Sequence, residues 1–163
     1  MFPDRIDRLS RQVLERARSR GFRIVTAESC TGGLISAALC AIPGASDVVD
    51  RGFVSYSNAA KIEMLSVPAA MLEQFGAVST PTARAMVLGA LMHGAADLAV
   101  STTGIAGPGG GTPEKPVGTV HLAVARRSGE TIERQEQFGD LSREAIQLAS
   151  LESALFMLLE ALA

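Results

Sequence analysis

Apolar and polar positions along the chain follow two spacings, one helical and one extended. Ile6, Leu9, Val13, Leu14 and Ala17 recur at helical spacing, so Pro3 to Arg20 predicts a surface helix with one buried face. Pro3 suits an early helix position and Gly21 falls just past the end. Phe22 to Ala27 is a short, β-branched apolar run that reads as a buried strand, and it stops at Glu28-Ser29-Cys30-Thr31-Gly32-Gly33. Leu34 to Ile42 is apolar almost all round and predicts a core helix that begins near Thr31 and ends before Pro43-Gly44. Arg51 to Tyr56 reads as a second strand, with Ser57-Asn58 capping a short helix from Ala59 to Leu65 that carries Lys61 in its first turn. Val67-Pro68 opens a helix to Phe75, and Ser79-Thr80-Pro81 opens a longer one to about Gly94. Leu98 to Thr102 is a third strand, and it leads into a glycine- and proline-rich loop from Gly104 to Pro116. Thr119 to Arg126 and Thr131 to Phe138 predict a hairpin around Ser128-Gly129, and Arg143 to Leu162 a closing helix.

Helices alternating with buried strands, followed by a hairpin, predict an α/β fold: a single-domain, three-layer α/β/α sandwich with a mixed central sheet over residues 1–163. In open α/β sheets the ligand crevice lies beyond the carboxyl ends of the strands. Glu28 to Gly33, Tyr56 to Lys61 and Thr102 to Gly111 all follow strands, so they are expected to converge on one site.

Composition narrows the possibilities. With 47% hydrophobic and 20% charged residues the chain is too apolar for disorder, and this oily balance favours further burial between subunits, hence a homodimer. A net charge of −2 and few aromatic residues argue against nucleic acid as a partner. No apolar run reaches membrane-spanning length and no signal-peptide core opens the chain, so a soluble, cytoplasmic protein without a membrane partner is expected. Cys30, Cys40, His93 and His121 have no zinc-site spacing; no metal and no cofactor are expected, and both cysteines are expected to be reduced and buried.

Placement of rare residues points to chemistry. Lys61 and Lys115 are the only lysines among fifteen basic residues, and the only tyrosine, Tyr56, lies five residues before Lys61. The turn Ser29-Cys30-Thr31-Gly32-Gly33 has two readings, a helix cap or a nucleophile held on a sharp bend beside free backbone N–H groups. Cys30 and Thr31 are rival nucleophiles. Neither histidine lies in a polar cluster, which disfavours a Ser-His-acid triad. A lysine whose burial disfavours the ammonium can serve as the base, and Lys61 is that candidate, with Tyr56 to orient or relay a proton. The Gly104 to Pro116 loop fits neither common phosphate fingerprint, yet its length suggests a functional loop.

Thr26-Ala-Glu-Ser-Cys-Thr-Gly-Gly33, Arg51-Gly-Phe-Val-Ser-Tyr-Ser-Asn58 with Lys61, Gly76-Ala-Val-Ser79, Gly104-Ile-Ala-Gly-Pro108 and Lys115-Pro-Val-Gly-Thr119 closely resemble the C-terminal domain of the competence/damage-inducible CinA proteins. The resemblance covers nearly the whole chain. It implies the stand-alone form, without the molybdopterin-binding-like N-terminal domain of longer members, and hydrolysis of the carboxamide of nicotinamide mononucleotide to nicotinate mononucleotide and ammonia. The family's nucleophile falls on Ser29, its tyrosine on Tyr56, its lysine on Lys61 and a substrate-site threonine on Thr103. Substrate contacts are also expected from Glu28, Thr31, Gly32, Gly33, Gly104 and Gly107, with an oxyanion held by N–H groups of Thr31 to Gly33 or Gly104. Arg143 and the loop amides would grip the phosphate of this small-molecule nucleotide. The alternative is a non-catalytic nucleotide-binding or regulatory domain linked to competence or DNA damage.

A reaction that needs no metal should proceed unchanged in EDTA. Ammonia release that stops with chelator and returns with added divalent metal would contradict this reading.

Overall fold

The computed structural model describes residues 1–163. Its elements in chain order are α1 (Asp4–Ser19), β1 (Ile24–Glu28), α2 (Leu34–Cys40), β2 (Val49–Val54), α3 (Asn58–Leu65), α4 (Ala69–Phe75), α5 (Thr80–His93), β3 (Leu98–Gly104), β4 (Thr119–Arg126), β5 (Thr131–Gln137) and α6 (Arg143–Ala161). The five strands form one sheet in the order β2-β1-β3-β4-β5. β1 runs parallel to β2 and β3, and β4 pairs antiparallel with β3 and β5, so the sheet is mixed as the pattern of elements predicts.

Side chains alternate across the strands and build two cores. Ile24, Leu98, Val100, Leu122 and Val124 face α1, α2 and α6, whose buried positions include Ile6, Leu9, Val13, Leu14, Ala17, Leu151, Leu155 and Leu158. Val25, Ala27, Ala99, Ala123 and Ala125 face the opposite side, against α5 with Leu65 and Leu72 of α3 and α4. Small residues on this second face bring α5 close to the sheet. The contact between α3 and α5 is tighter still: a Cβ on Gly89 would stand 1.9 Å from the Leu65 carbonyl oxygen. Only glycine permits this crossing, which fixes the height of α3 and therefore of Lys61.

Most boundaries fall within two residues of expectation, and the departures have local causes. Helix α2 begins at Leu34 and not near Thr31, because residues 30–33 form a turn whose Gly32 and Gly33 have φ values of 59° and 99°. Strand β3 runs two residues beyond Thr102, since Thr103 and Gly104 still pair with His121 and Val120. A 3-10 turn over Ala45–Asp47 precedes β2, a feature the apolar pattern does not signal. One expectation about the cysteines fails. Cys30 is buried, but Cys40 closes α2 on its solvent side and is exposed. No helix is long and apolar enough to cross a membrane.

Gly89→Ala should cost about 2 kcal/mol or more of unfolding free energy, because the added methyl meets backbone that cannot turn aside. Urea denaturation with an unchanged midpoint would show that α3 does not sit against Gly89.

Candidate active site

The turn that carries Ser29 is built on Glu28, the last residue of β1. This side chain is 0% exposed, and its carboxylate accepts five hydrogen bonds. Two come from the backbone N–H groups of Ile35 and Ser36 at 2.9 and 2.8 Å, so Glu28 satisfies the open N-terminus of α2, where a negative charge also complements the helix dipole. The others come from Thr26 Oγ1 at 3.2 Å, Thr31 Oγ1 at 2.7 Å and Ser36 Oγ at 2.9 Å. Because Thr31 donates to Glu28, the 2.8 Å contact between the Thr31 and Thr102 hydroxyls has Thr102 as its donor. Ser29 between them is fixed by its own N–H on Thr102 O at 3.0 Å, and Gln147 of α6 holds the next carbonyl, Cys30 O, at 2.9 Å.

Lys61 approaches from α3. Ser57 caps that helix by accepting the Ala60 N–H, and the lysine side chain points back past the cap. Its Nζ lies 3.0 Å from Ser29 Oγ and 3.0 Å from Ser55 O. Lys61 is 1% exposed, and none of the eight ion pairs in the molecule involves it. Burial therefore pushes its amine below its ordinary value, with Cys30 acting in the opposite sense. When the amine is neutral, one N–H donates to Ser55 O and the lone pair accepts the Ser29 hydroxyl. A hydroxyl and a neutral amine so placed can act as a nucleophile and its base.

Cys30, the neighbouring thiol, is pushed up to about 12 by burial, with Glu28 acting in the same sense against its own backbone N–H, Lys61 and Arg143. It stays a neutral thiol near pH 7 and is a poor nucleophile. Thr31 is excluded as well, being 1% exposed with its hydroxyl committed to Glu28 and Thr102. The histidines stand apart: His93 pairs with Ser66 at 2.8 Å, and His121 with Thr80 at 3.0 Å.

Ser29 and Lys61 open into a cavity of about 270 Å³. All three strand-following segments reach it, through Ser29 and Cys30, through Tyr56, Asn58 and Lys61, and through Thr103 to Gly107 with Gly109 and Gly110. Thr103, Gly104, Gly107 and Arg143 line it as expected, and Thr103 donates to Ala77 O at 2.7 Å. Four expected substrate contacts do not line it. Glu28 and Thr31 are sealed beneath the turn, and Gly32 and Gly33 lie outside the cavity, serving the bend with their positive φ. The Gly32 N–H is also spent on Ser29 O, which removes it from any oxyanion hole. Tyr56 lines the cavity but makes no hydrogen bond to Ser29 or Lys61; its hydroxyl accepts from Arg143 Nη2 at 2.6 Å while Arg143 Nη1 donates to Gly107 O at 2.8 Å.

Sequence reasoning missed Ser55, Ala77, Val78 and Gln147. Ser55 acts through its carbonyl, which no side-chain pattern reveals. Ala77 and Val78 are brought to the cavity by Thr103 and by the Ser79 and Thr82 hydroxyls, both bonded to Gly76 O. Gln147 was legible in one respect, since it lies four residues after Arg143 on the same helix face.

The family model described as the CinA C-terminal domain matches residues 6–162. The chain is 47% identical over 163 residues to the nicotinamide-nucleotide amidohydrolase PncC of Enterobacter agglomerans, covering 99% of this chain and 96% of that protein. It is 51% identical over 149 residues to a CinA-like protein of Anaeromyxobacter sp. (strain K), covering 91% of this chain and 36% of that protein, so it spans about a third of such longer relatives. Among solved structures, a competence/damage inducible protein from Agrobacterium tumefaciens matches with a TM-score of 0.97 at 51% identity, over 99% of this chain and 98% of that one. A CinA superfamily protein from Klebsiella pneumoniae matches with a TM-score of 0.92 at 36% identity, over 96% and 97% of the two chains.

Glu28 is a positioning residue for Ser29. Glu28→Gln keeps the shape but places an NH₂ group against donors, so kcat should fall about a hundredfold with KM little changed. A variant that loses folded protein while the remaining fraction keeps wild-type kcat would reduce Glu28 to a purely structural part.

Proposed function

The chain belongs to the CinA C-terminal domain family, and on that premise we propose that it hydrolyses the carboxamide of nicotinamide mononucleotide, with Ser29 as nucleophile and Lys61 as base. One observation carries the reading: a lysine 1% exposed, without a carboxylate partner, stands 3.0 Å from a serine hydroxyl at the mouth of a cavity.

Neutral Lys61 takes the Ser29 proton as Oγ bonds to the amide carbon. The Lys61 ammonium then returns that proton to the amide nitrogen as the C–N bond breaks and ammonia leaves. Water attacks the acyl carbon with Lys61 again as base, and the ester C–O bond breaks to restore the Ser29 hydroxyl. The N–H groups of Ala106 and Gly107 have no hydrogen-bond partner in the protein and that of Cys30 meets only its own thiol, so these are the donors open to an oxyanion. The N–H groups of Gly109 and Gly110 are likewise unpaired, and with Arg143 they offer donors to a phosphate. Tyr56 acts at the rim through Arg143 and not as a proton relay to Ser29, leaving Lys61 as the single proton carrier. Ala77, Val78, Ile105 and Ala106 supply the apolar walls for a flat ring.

Ammonia release from nicotinamide mononucleotide tests the reading. Wild type should turn over, while Ser29→Ala and Lys61→Ala should each lose about a thousandfold or more with folding intact. An active Ser29→Ala enzyme removes the serine mechanism, and a wild type that releases no ammonia returns the site to a binding role. The pH dependence has a defined sign. The neutral amine is the active form and burial lowers its pKa, so kcat/KM should rise with pH and level off below the ordinary lysine range. A profile that climbs only through that ordinary range would contradict a desolvated base.

A further inference from the structure

We propose that this cavity takes up a carboxylate together with a proton, so that the acid product of amide hydrolysis binds more tightly than the amide substrate and restrains its own formation. The inference rests on the amide-hydrolysis reading and concerns the fate of the product once the acyl-enzyme has been hydrolysed.

The lining supplies the first argument. Its fifteen residues include two bases, Lys61 and Arg143, and no carboxylate. Glu28 lies under the same turn, yet its oxygens are fully engaged by five donors and 0% exposed, so it offers no counter-charge to the cavity. Lys61 supplies the second. Its Nζ touches two oxygens, both uncharged, whereas an ammonium has three donors; as an ammonium it would have neither a third acceptor nor an opposite charge. A carboxylate formed on the carbon that Ser29 has just released supplies both.

Atoms balance without any further reactant. Hydrolysis of the acyl-enzyme yields a carboxylic acid beside a neutral amine. The acid O–H bond breaks, the proton forms an N–H bond on Lys61, and a carboxylate–ammonium pair results. Entry from solution reaches the same complex when the carboxylate binds to neutral Lys61 and one proton is drawn from the solvent. The fold has already removed the amine from water, so the new pair gains attraction in a poorly screened place.

The other groups around Lys61 do not remove this linkage. Cys30 from the β1–α2 turn stays a neutral thiol near pH 7. Tyr56 before α3 and Arg143 of α6 are bonded to each other. On α5, packed against α3, Arg84 pairs with Glu133 and His93 with Ser66. Glu63, on α3 itself, is exposed. Lys61 is left as the group whose charge a bound carboxylate changes.

This linkage fixes the sign of the pH dependence. Below the titration of Lys61 in the free protein the lysine is already charged, and the acid binds with its highest, level affinity. Above it, affinity should fall tenfold per pH unit until the higher titration of the complex is passed. The amide, which brings no charge to Lys61, should lack this slope.

Isothermal titration calorimetry tests the proposal, with nicotinate mononucleotide on wild type and Ser29→Ala protein and nicotinamide mononucleotide on Ser29→Ala. The titrations are run over a pH series in two buffers of different ionisation enthalpy. Both ligands carry the same phosphate, so the difference in protons taken up reports the carboxylate alone. The acid should bind at least about tenfold more tightly than the amide, with excess uptake approaching one proton, and that excess should vanish in Lys61→Met. Equal affinities, zero excess uptake across the series, or uptake that persists in Lys61→Met would overturn the proposal. The wild-type titration with the acid stands even where Lys61→Met does not fold. If wild type releases ammonia from the amide but binds the acid without proton uptake, the proposal falls and the hydrolysis reading stands; if neither nucleotide binds, both fall together.

Discussion

A lysine amine kept out of water, with a serine hydroxyl and a backbone carbonyl as its hydrogen-bond partners, sets the terms for the rest of the molecule. An ammonium there would lack the hydration it has in water and would find no carboxylate in exchange, a cost of several kcal/mol in a protein interior. The fold holds Lys61 in place by packing, since α3 rests on α5 through the bare backbone of Gly89. The neutral amine is thereby favoured, and the hydrogen bond to Ser29 becomes one that can move a proton.

Ser29 is held with equal rigidity, by a buried acid that does not reach the cavity. Glu28 joins the end of β1 to the start of α2, and its backbone carbonyl also accepts the Ser55 N–H at 2.8 Å. The residue before Ser29 and the residue whose carbonyl meets Lys61 are thus bonded to each other directly. Serine and lysine come from separate segments of the chain, yet one parallel strand pair, β1 with β2, sets the distance between them.

Much of this was legible in the chain. The five apolar positions of α1 are all buried, and the three strand-following polar segments do meet at one cavity. Lys61 and Ser29 stood out by rarity and by a turn motif, and the geometry joins them. The roles of Glu28 and Thr31 were misread because a polar residue in a glycine-rich turn looks alike whether it faces ligand or helix end; only burial and partner count separate the two. Tyr56 was drawn toward Lys61 by sequence proximity, whereas its hydroxyl finds Arg143, 87 positions away. Cys40 looked like core because its helix is apolar all round, but the helix leaves that face to solvent.

The most direct test of a desolvated base is the titration of Lys61 itself. The chain contains two lysines, so labelling lysine Nζ with ¹⁵N gives two side-chain signals, assigned by a Lys115→Arg variant. With a dry amine beside Ser29, one signal should titrate well below the ordinary lysine value of about 10.4. Two lysines that both titrate at that ordinary value would show that Lys61 is charged at working pH and cannot be the base.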